Sequence, residues 1–172
     1  MPFWRTYYHL VWATKNREPL ITPKIEKSLY SYIVHKATTL GIYIYAADGW
    51  VDHAHVIAAI PPKIAVAEAV RNMKGASAHW LNEHFPEEPH FAWQRGYGVL
   101  SLGEKQRPQA EAYVLNQKGH HQQQTTNSWL ERYEDEDEGP TDIGLPSPRI
   151  THEALFVKEP QPEYPIFDPF PF

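Results

Sequence analysis

Two histidines one residue apart, His53 and His55, lie in the stretch Trp50 to Pro62, WVDHAHVIAAIPP. The stretch is rich in Val, Ile and Ala. Two prolines close it, because proline cannot donate to a strand ladder. It reads as a buried strand. Residues two apart project from one face of a strand, so the two imidazoles stand side by side and offer a metal two nitrogen ligands from a rigid support. The competing reading is a pair of core or surface histidines that only hydrogen-bond. Two histidines make half a site, and the familiar short patterns do not complete it. The chain has no cysteine for a thiolate zinc site. His152-Glu153 is followed by Phe156 where the helical zinc-protease pattern needs His. Ala58 and Ala59 stand where a barrel-type His-x-His oxygenase would carry Glu.

A second pair lies far along the chain. Pro108 sits at a first helical turn, and a helix is predicted from there to about Lys118, with Gly119 as its stop. Tyr113 and Gln117 are four apart and so share one helix face. The Gln117 amide oxygen suits a hard divalent ion. Tyr113 would then stand beside that ion as a nucleophile. A neutral phenol, with its pKa near 10, is a weak one. A nearby cation stabilises the phenolate and polarises a phosphate oxygen. Attack on a phosphodiester would give a phosphotyrosine and a free hydroxyl. The bond energy is kept, which suits strand transfer better than hydrolysis. Taken alone, a helical Tyr with Gln one turn on is equally a surface or core pair.

The elements that must bring these pairs together follow from periodicity. Phe3 to Ala13 is aromatic and β-branched, a strand. Thr22-Pro23 starts a helix. Ile25, Leu29, Tyr32, Ile33, Ala37 and Leu40 give it one apolar face, and Gly41 stops it. Ile42 to Ala47 is a short strand, and Asp48-Gly49 is a hairpin signal leading into the histidine strand. Ala65 to Phe85 is a second helix with Val66, Ala69, Val70, Met73, Trp80 and Leu81 on its apolar face, and Arg71, Lys74 and Ser77 elsewhere. Phe91 to Leu102 is a glycine-interrupted strand whose Trp93 and Tyr97 suit either base stacking or a core. The order strand, helix, strand, strand, helix, strand is that of an α+β, ferredoxin-like domain with a split βαβ plan. Its sheet is expected to be largely antiparallel, with the first strand and the histidine strand central.

The 172 residues suffice for one core with some chain left over. The net charge of −5 conceals a division: residues 1–121 carry +3 and residues 122–172 carry −8. The division places a catalytic domain at 1–121 and an acidic, proline-rich extension at 122–172. The overall acidity therefore does not argue against a nucleic-acid partner. Half of the sixteen prolines lie in that extension, which predicts disordered or extended chain. Ser128 with Glu131 reads as one capped helical turn. The absence of cysteine, of a secretory layout at the start and of an apolar run of about 20 residues predicts a cytoplasmic protein.

Five stretches together resemble a known family. YHLVWATKNREPLIT, DHAHVIAAIPP, MKGASAHWL, FAWQRGYGVLSL and AEAYVLNQKGHH are similar, in this order, to the opening strand and loop, metal strand, second helix, Trp-Gln strand and nucleophile helix of the single-tyrosine HUH transposases. These form the insertion-sequence 200/605 group, with relatives at repetitive extragenic palindromes. HUH stands for His-hydrophobic-His, here His53-Ala54-His55. The resemblance implies an HUH endonuclease fold, Mg²⁺ or Mn²⁺ on His53, His55 and Gln117, and Tyr113 as the nucleophile on single-stranded DNA. The products would be a 5′-phosphotyrosine and a 3′-hydroxyl. It further implies recognition of DNA hairpins and a homodimer whose active sites can be composite between subunits. Two alternatives remain: a resident nickase that processes palindromic repeats, and a non-catalytic ferredoxin-like nucleic-acid-binding module.

Asp52 has the strand parity opposite to His53, which favours a structural role at the turn. His120 either faces the site or, with His121, caps the helix end; the cap is preferred. Lys15, Arg17, Arg71, Lys74, Arg95 and Lys105 are candidate phosphate contacts. The extension from Gly139 to Phe172 has no counterpart in the family's pattern. The acidic run Glu134 to Glu138 is expected to compete with DNA for the basic face.

Overall fold

The computed structural model describes residues 3–128 and 130–133, all within one compact unit, Met1–Asp137. Most of the acidic extension, including the run Glu134 to Glu138, lies outside the described residues. The element order is β1 (Tyr7–Ala13), α1 (Glu26–Thr39), β2 (Tyr43–Trp50), β3 (His53–Ala59), α2 (Val66–His84), β4 (Gly98–Leu102), α3 (Arg107–Leu115) and α4 (Gln117–Gln123). The strands form one sheet in the order β2-β3-β1-β4, and every pairing is antiparallel. This is the expected ferredoxin-like α+β plan, with the histidine strand and β1 in the centre.

All seven residues of β3 are buried, because both of its faces are covered. Ala54, Val56 and Ala58 join Leu10 and Trp12 of β1 in the main core, beneath Leu29, Ile33 and Ala37 of α1 and Ala69, Val70 and Met73 of α2. The four-residue step of the α1 positions puts them on one helix face. Each fully buried Leu or Ile contributes about 1.5–3 kcal/mol. On the opposite face Ile57 packs with Ala46 and with Val114 of α3. Alternation along β3 thus sends Ala54 and Val56 into the core and His53 and His55 to the face covered by α3.

Four expectations need correction. The hairpin does not turn at Asp48-Gly49. Asp48 pairs with His55 and Gly49 with Ala54 inside the ladder, and the turn is Val51-Asp52. Gly49 marks a close approach instead: a Cβ there would lie 2.1 Å from the His53 carbonyl oxygen and 2.7 Å from the Tyr30 hydroxyl. The strand predicted over 91–102 pairs regularly only at Gly98–Leu102, with Trp93 making a single bridge to Thr14. The last helix does not stop at Gly119. It breaks earlier, at Asn116 (φ −106°, ψ 20°), and resumes as α4. Finally, Lys74 and Ser77, placed off the apolar face of α2, are buried. The Lys74 ammonium is satisfied there by the carbonyl oxygens of Gln94, Arg95 and Gly96 at 2.6, 3.0 and 2.8 Å.

Order also runs past residue 121, where extended chain was expected. Gln122 and Gln123 complete α4. The backbone N–H groups of Leu130 and Glu131 close a turn on the Asn127 carbonyl, at the place where Ser128 and Glu131 suggested one.

Candidate active site

The sheet register fixes the histidines. His53 stands between Ala13 of β1 and Trp50 of β2, and His55 between Val11 and Asp48. Both are buried, at 1% and 0% exposure. Their Nε2 atoms approach the same carboxylate oxygen, Glu131 Oε2, at 2.9 Å from His53 and 3.1 Å from His55. The other oxygen, Oε1, accepts the Tyr113 hydroxyl at 2.6 Å. That phenolic oxygen in turn accepts the Asn127 backbone N–H at 3.0 Å. Imidazole pair and phenol therefore meet within one chain, through a residue of the segment that follows α4.

A further layer holds these groups in place. His53 Nδ1 bonds Asp52 Oδ1 at 2.7 Å, and Asp52 Oδ2 accepts Arg17 Nε at 2.8 Å. Asp52 thus orients a histidine from the turn. His55 Nδ1 faces His9 Nε2 at 2.8 Å, with the rings stacked. Both outer nitrogens are so engaged, which leaves the two Nε2 atoms for the site. His121 Nε2 lies 3.2 Å from His53 Nε2, and its ring stacks flat on Trp50. His120 stacks on the Tyr113 ring at 4.6 Å between centroids and bonds Thr125. His120 and His121 lie in the last turn of α4, near its C-terminus, and both also reach the site.

The electrostatics follow from this packing. Burial opposes ionisation of Glu131, but hydrogen bonds from His53 and His55 outweigh it and hold the carboxyl far below its usual range. Burial likewise opposes charge on Asp52, yet His53 and Arg17 bring its pKa down to about 2. Burial works against a cationic His53, but Asp52 and Glu131 raise its pKa. Burial lowers that of His55. Burial, followed by the hydrogen bond to Glu131, raises Tyr113. The phenol is therefore protonated at neutral pH.

The donor set fits a divalent cation. One ligand atom each from His53, His55 and Glu131 lie within 4.8 Å of one another, and two imidazole nitrogens with a carboxylate suit first-row and alkaline-earth ions. Gln117 is fully buried near Tyr113. Among the described residues its amide oxygen and nitrogen meet no partner at good hydrogen-bond geometry, although the amide lies close enough to the Tyr113 hydroxyl to lower its pKa. A buried amide without partners is costly, and a cation would satisfy its oxygen.

Of the candidate phosphate contacts, Arg17 lies in the site, and its Nη2 is 3.4 Å from His53 Nδ1. Lys15 is exposed in the turn beside it, and Lys105 in the loop before α3. Arg71, Lys74 and Arg95 line a separate cavity. Glu131 and His9 were missed by sequence reasoning. His9 has the strand parity of Val11, which opposes His55, so alternation along YYHLVWA offered a signal. Glu131 offered none beyond its place in a capped turn.

The chain is similar in sequence and fold to known transposases. The family model described as "Transposase IS200 like" matches residues 2–117. The ISDra2 transposase TnpA of Deinococcus radiodurans is 25% identical over 115 residues, 64% of this chain and 82% of that protein. A transposase for insertion sequence element IS200 from Salmonella typhimurium is 28% identical over 119 residues, 66% of this chain and 78% of the relative. A crystal structure of a candidate transposase from Deinococcus radiodurans R1 superimposes with a TM-score of 0.55 at 28% identity, covering 68% of this chain and 95% of that one. The fold is also that of a REP-associated tyrosine transposase solved bound to a REP hairpin, with a TM-score of 0.53 at 16% identity over 70% of this chain and 74% of that one. No helix among the described residues is long and apolar enough to cross a membrane. With its family match spanning 2–117 and a tyrosine linked to the histidine pair through one carboxylate, the chain belongs to the IS200-like transposase family.

Proposed function

We propose that this transposase cleaves and rejoins single-stranded DNA through a covalent 5′-phosphotyrosine at Tyr113. The observation that carries the reading is the single Glu131 carboxylate, which touches the Nε2 atoms of both histidines and the phenol. His53, His55, Glu131 and Gln117 are the residues that would hold Mg²⁺ or Mn²⁺. When bound, the ion supplies Lewis-acid polarisation of a phosphate oxygen and favours the phenolate.

The chain's own residues do the rest. His9 and Asp52 fix the two imidazoles from behind. His120 holds the plane of the Tyr113 ring. The Tyr113 hydroxyl, oriented by its hydrogen bond to Glu131 Oε1, loses its proton to solvent as its oxygen attacks phosphorus. The bond from phosphorus to the 3′ oxygen breaks, and that oxygen takes up one proton to become the 3′-hydroxyl. The reverse reaction, with a new 3′-hydroxyl attacking the phosphotyrosine, transfers the strand. The proposed catalytic domain is residues 1–121, to which the extension 122–172 supplies Glu131. The proposed partner is single-stranded DNA with hairpins, a reading supported by the fold relative solved with a REP hairpin. Assembly as a homodimer, with active sites that can be composite between subunits, follows the family resemblance.

The test is to incubate the full chain and Mn²⁺ with a pool of hairpin oligonucleotides carrying randomised unpaired flanks. An adduct that survives denaturant and disappears in Tyr113→Phe is expected. Cleavage without an adduct, or an adduct retained in Tyr113→Phe, would overturn the mechanism.

A further inference from the structure

A cavity of about 500 Å³ opens between α2 and the segment 91–97. Its size lies in the range of ligand pockets. Three aromatic side chains, Phe91, Trp93 and Tyr97, contribute to its lining, and Arg71 and Arg95 stand among the lining residues. Both arginines are exposed, and among the described residues neither forms an ion pair. Among the described residues, no acidic residue lines the cavity. Its floor is rigid. Lys74 clamps three consecutive carbonyls of the 94–96 loop, and Trp93 Nε1 donates to Ser77 Oγ at 3.1 Å.

Half-buried Trp93 and Tyr97 beside a cationic rim match a flat, π-bearing group on an anionic backbone. The wall is also tied to the active site. Lys15 N donates to the Ala92 carbonyl at 2.9 Å, Gln94 N to that of Ala13 at 2.8 Å, and Asn16 N to Gln94 Oε1 at 3.0 Å. The next residue, Arg17, reaches Asp52 and His53. We propose that this cavity binds one unpaired nucleobase of the DNA strand, with the flanking phosphates on Arg71 and Arg95. The proposal rests on the reading of single-stranded DNA as the partner and adds where a base is held.

Gly75 supplies the test. It lines the cavity, and a Cβ there would meet nothing within 4 Å. The Cβ of Gly75→Leu therefore enters open space, its longer side chain takes up room at the cavity, and within α2 it replaces a poor helix former by a good one. The measurement is binding of the full chain to a hairpin oligonucleotide with a mixed-sequence unpaired flank, and to versions carrying one abasic site at each flank position in turn. A melting curve confirms folding of the variant. Gly75→Leu is expected to weaken binding to the intact flank about tenfold or more. One abasic position should weaken wild type to a similar extent and should leave nothing further for Gly75→Leu to remove. Arg71→Ala and Arg95→Ala should each weaken binding and lower its salt dependence by about one ion.

Unchanged binding by a folded Gly75→Leu would overturn the proposal. So would a loss that persists at every abasic position, or an equal loss on fully paired DNA. Failure of the Tyr113 adduct with these binding results intact would remove the cleavage mechanism and leave the cavity's role standing. A working adduct with unchanged Gly75→Leu binding would do the reverse.

Discussion

Tyr113 donates its hydroxyl to Glu131 at 2.6 Å although the two residues are eighteen apart in sequence. The carboxylate's other oxygen contacts the histidine pair, so one side chain joins the proposed nucleophile and the candidate metal ligands. Glu131→Gln keeps the shape and removes the charge. Mn²⁺ titration of the full chain should show at least about a tenfold loss of affinity, since ligand charge sets the strength of such sites. Binding as tight as that of wild type would exclude Glu131 as a ligand.

The Glu131 segment lies where it does because β4 begins with glycine. A Cβ on Gly98 would sit 2.0 Å from the Arg132 carbonyl oxygen and 2.8 Å from Val11 Cγ1. Gly98→Ala must therefore push away the 130–133 segment, or the β1 side chain, or both. A stability loss of about 1–3 kcal/mol is expected from the overlap. The informative readout is Mn²⁺ affinity, which should fall as in Glu131→Gln. The double variant should be no worse than either single one, as expected for residues acting through one contact. Full additivity in the titration would show that Gly98 does not act through Glu131.

His9 predicts a pH dependence of stability in metal-free protein. Burial, then the neighbouring His55, lowers its pKa to about 3, against 6.5 for the free side chain. The unfolded chain thus binds a proton that the folded chain refuses. Stability from this group is complete above about pH 6.5 and is lost as the pH falls toward 3, with a slope of at most about 1.4 kcal/mol per unit. His9→Gln keeps a hydrogen-bonding group and removes the titration. Denaturant melts from pH 7 to 4 should show a flatter dependence in the variant; an unchanged slope would refute the assignment.

The fold was legible from period and punctuation. Val, Ile and Ala around the histidines announced a central strand, and the step Ile25, Leu29, Ile33, Ala37 announced the helix that covers it. Alternation also set His53 and His55 on one face. Local rules failed where tertiary contact decides. Asp48-Gly49 has turn chemistry, but Gly49 is needed where β2 passes close to β3 and to Tyr30. Lys74 looks solvated until the 94–96 carbonyls fold over it. Glu131 sits among polar and acidic residues, and only the folded chain shows it reaching across to the imidazoles. Tyr113 and Gln117 were found by their four-residue spacing even though the helix between them breaks at Asn116.

The proposed chemistry requires a divalent ion shared by the imidazole pair beside Tyr113. Crystals grown with Mn²⁺ and measured for anomalous scattering test this directly. One strong peak is expected within about 2.0–2.3 Å of His53 Nε2 and His55 Nε2, with the Tyr113 oxygen facing the same space. A peak elsewhere with none at the imidazoles, or a Tyr113 ring turned away from an occupied site, would contradict it.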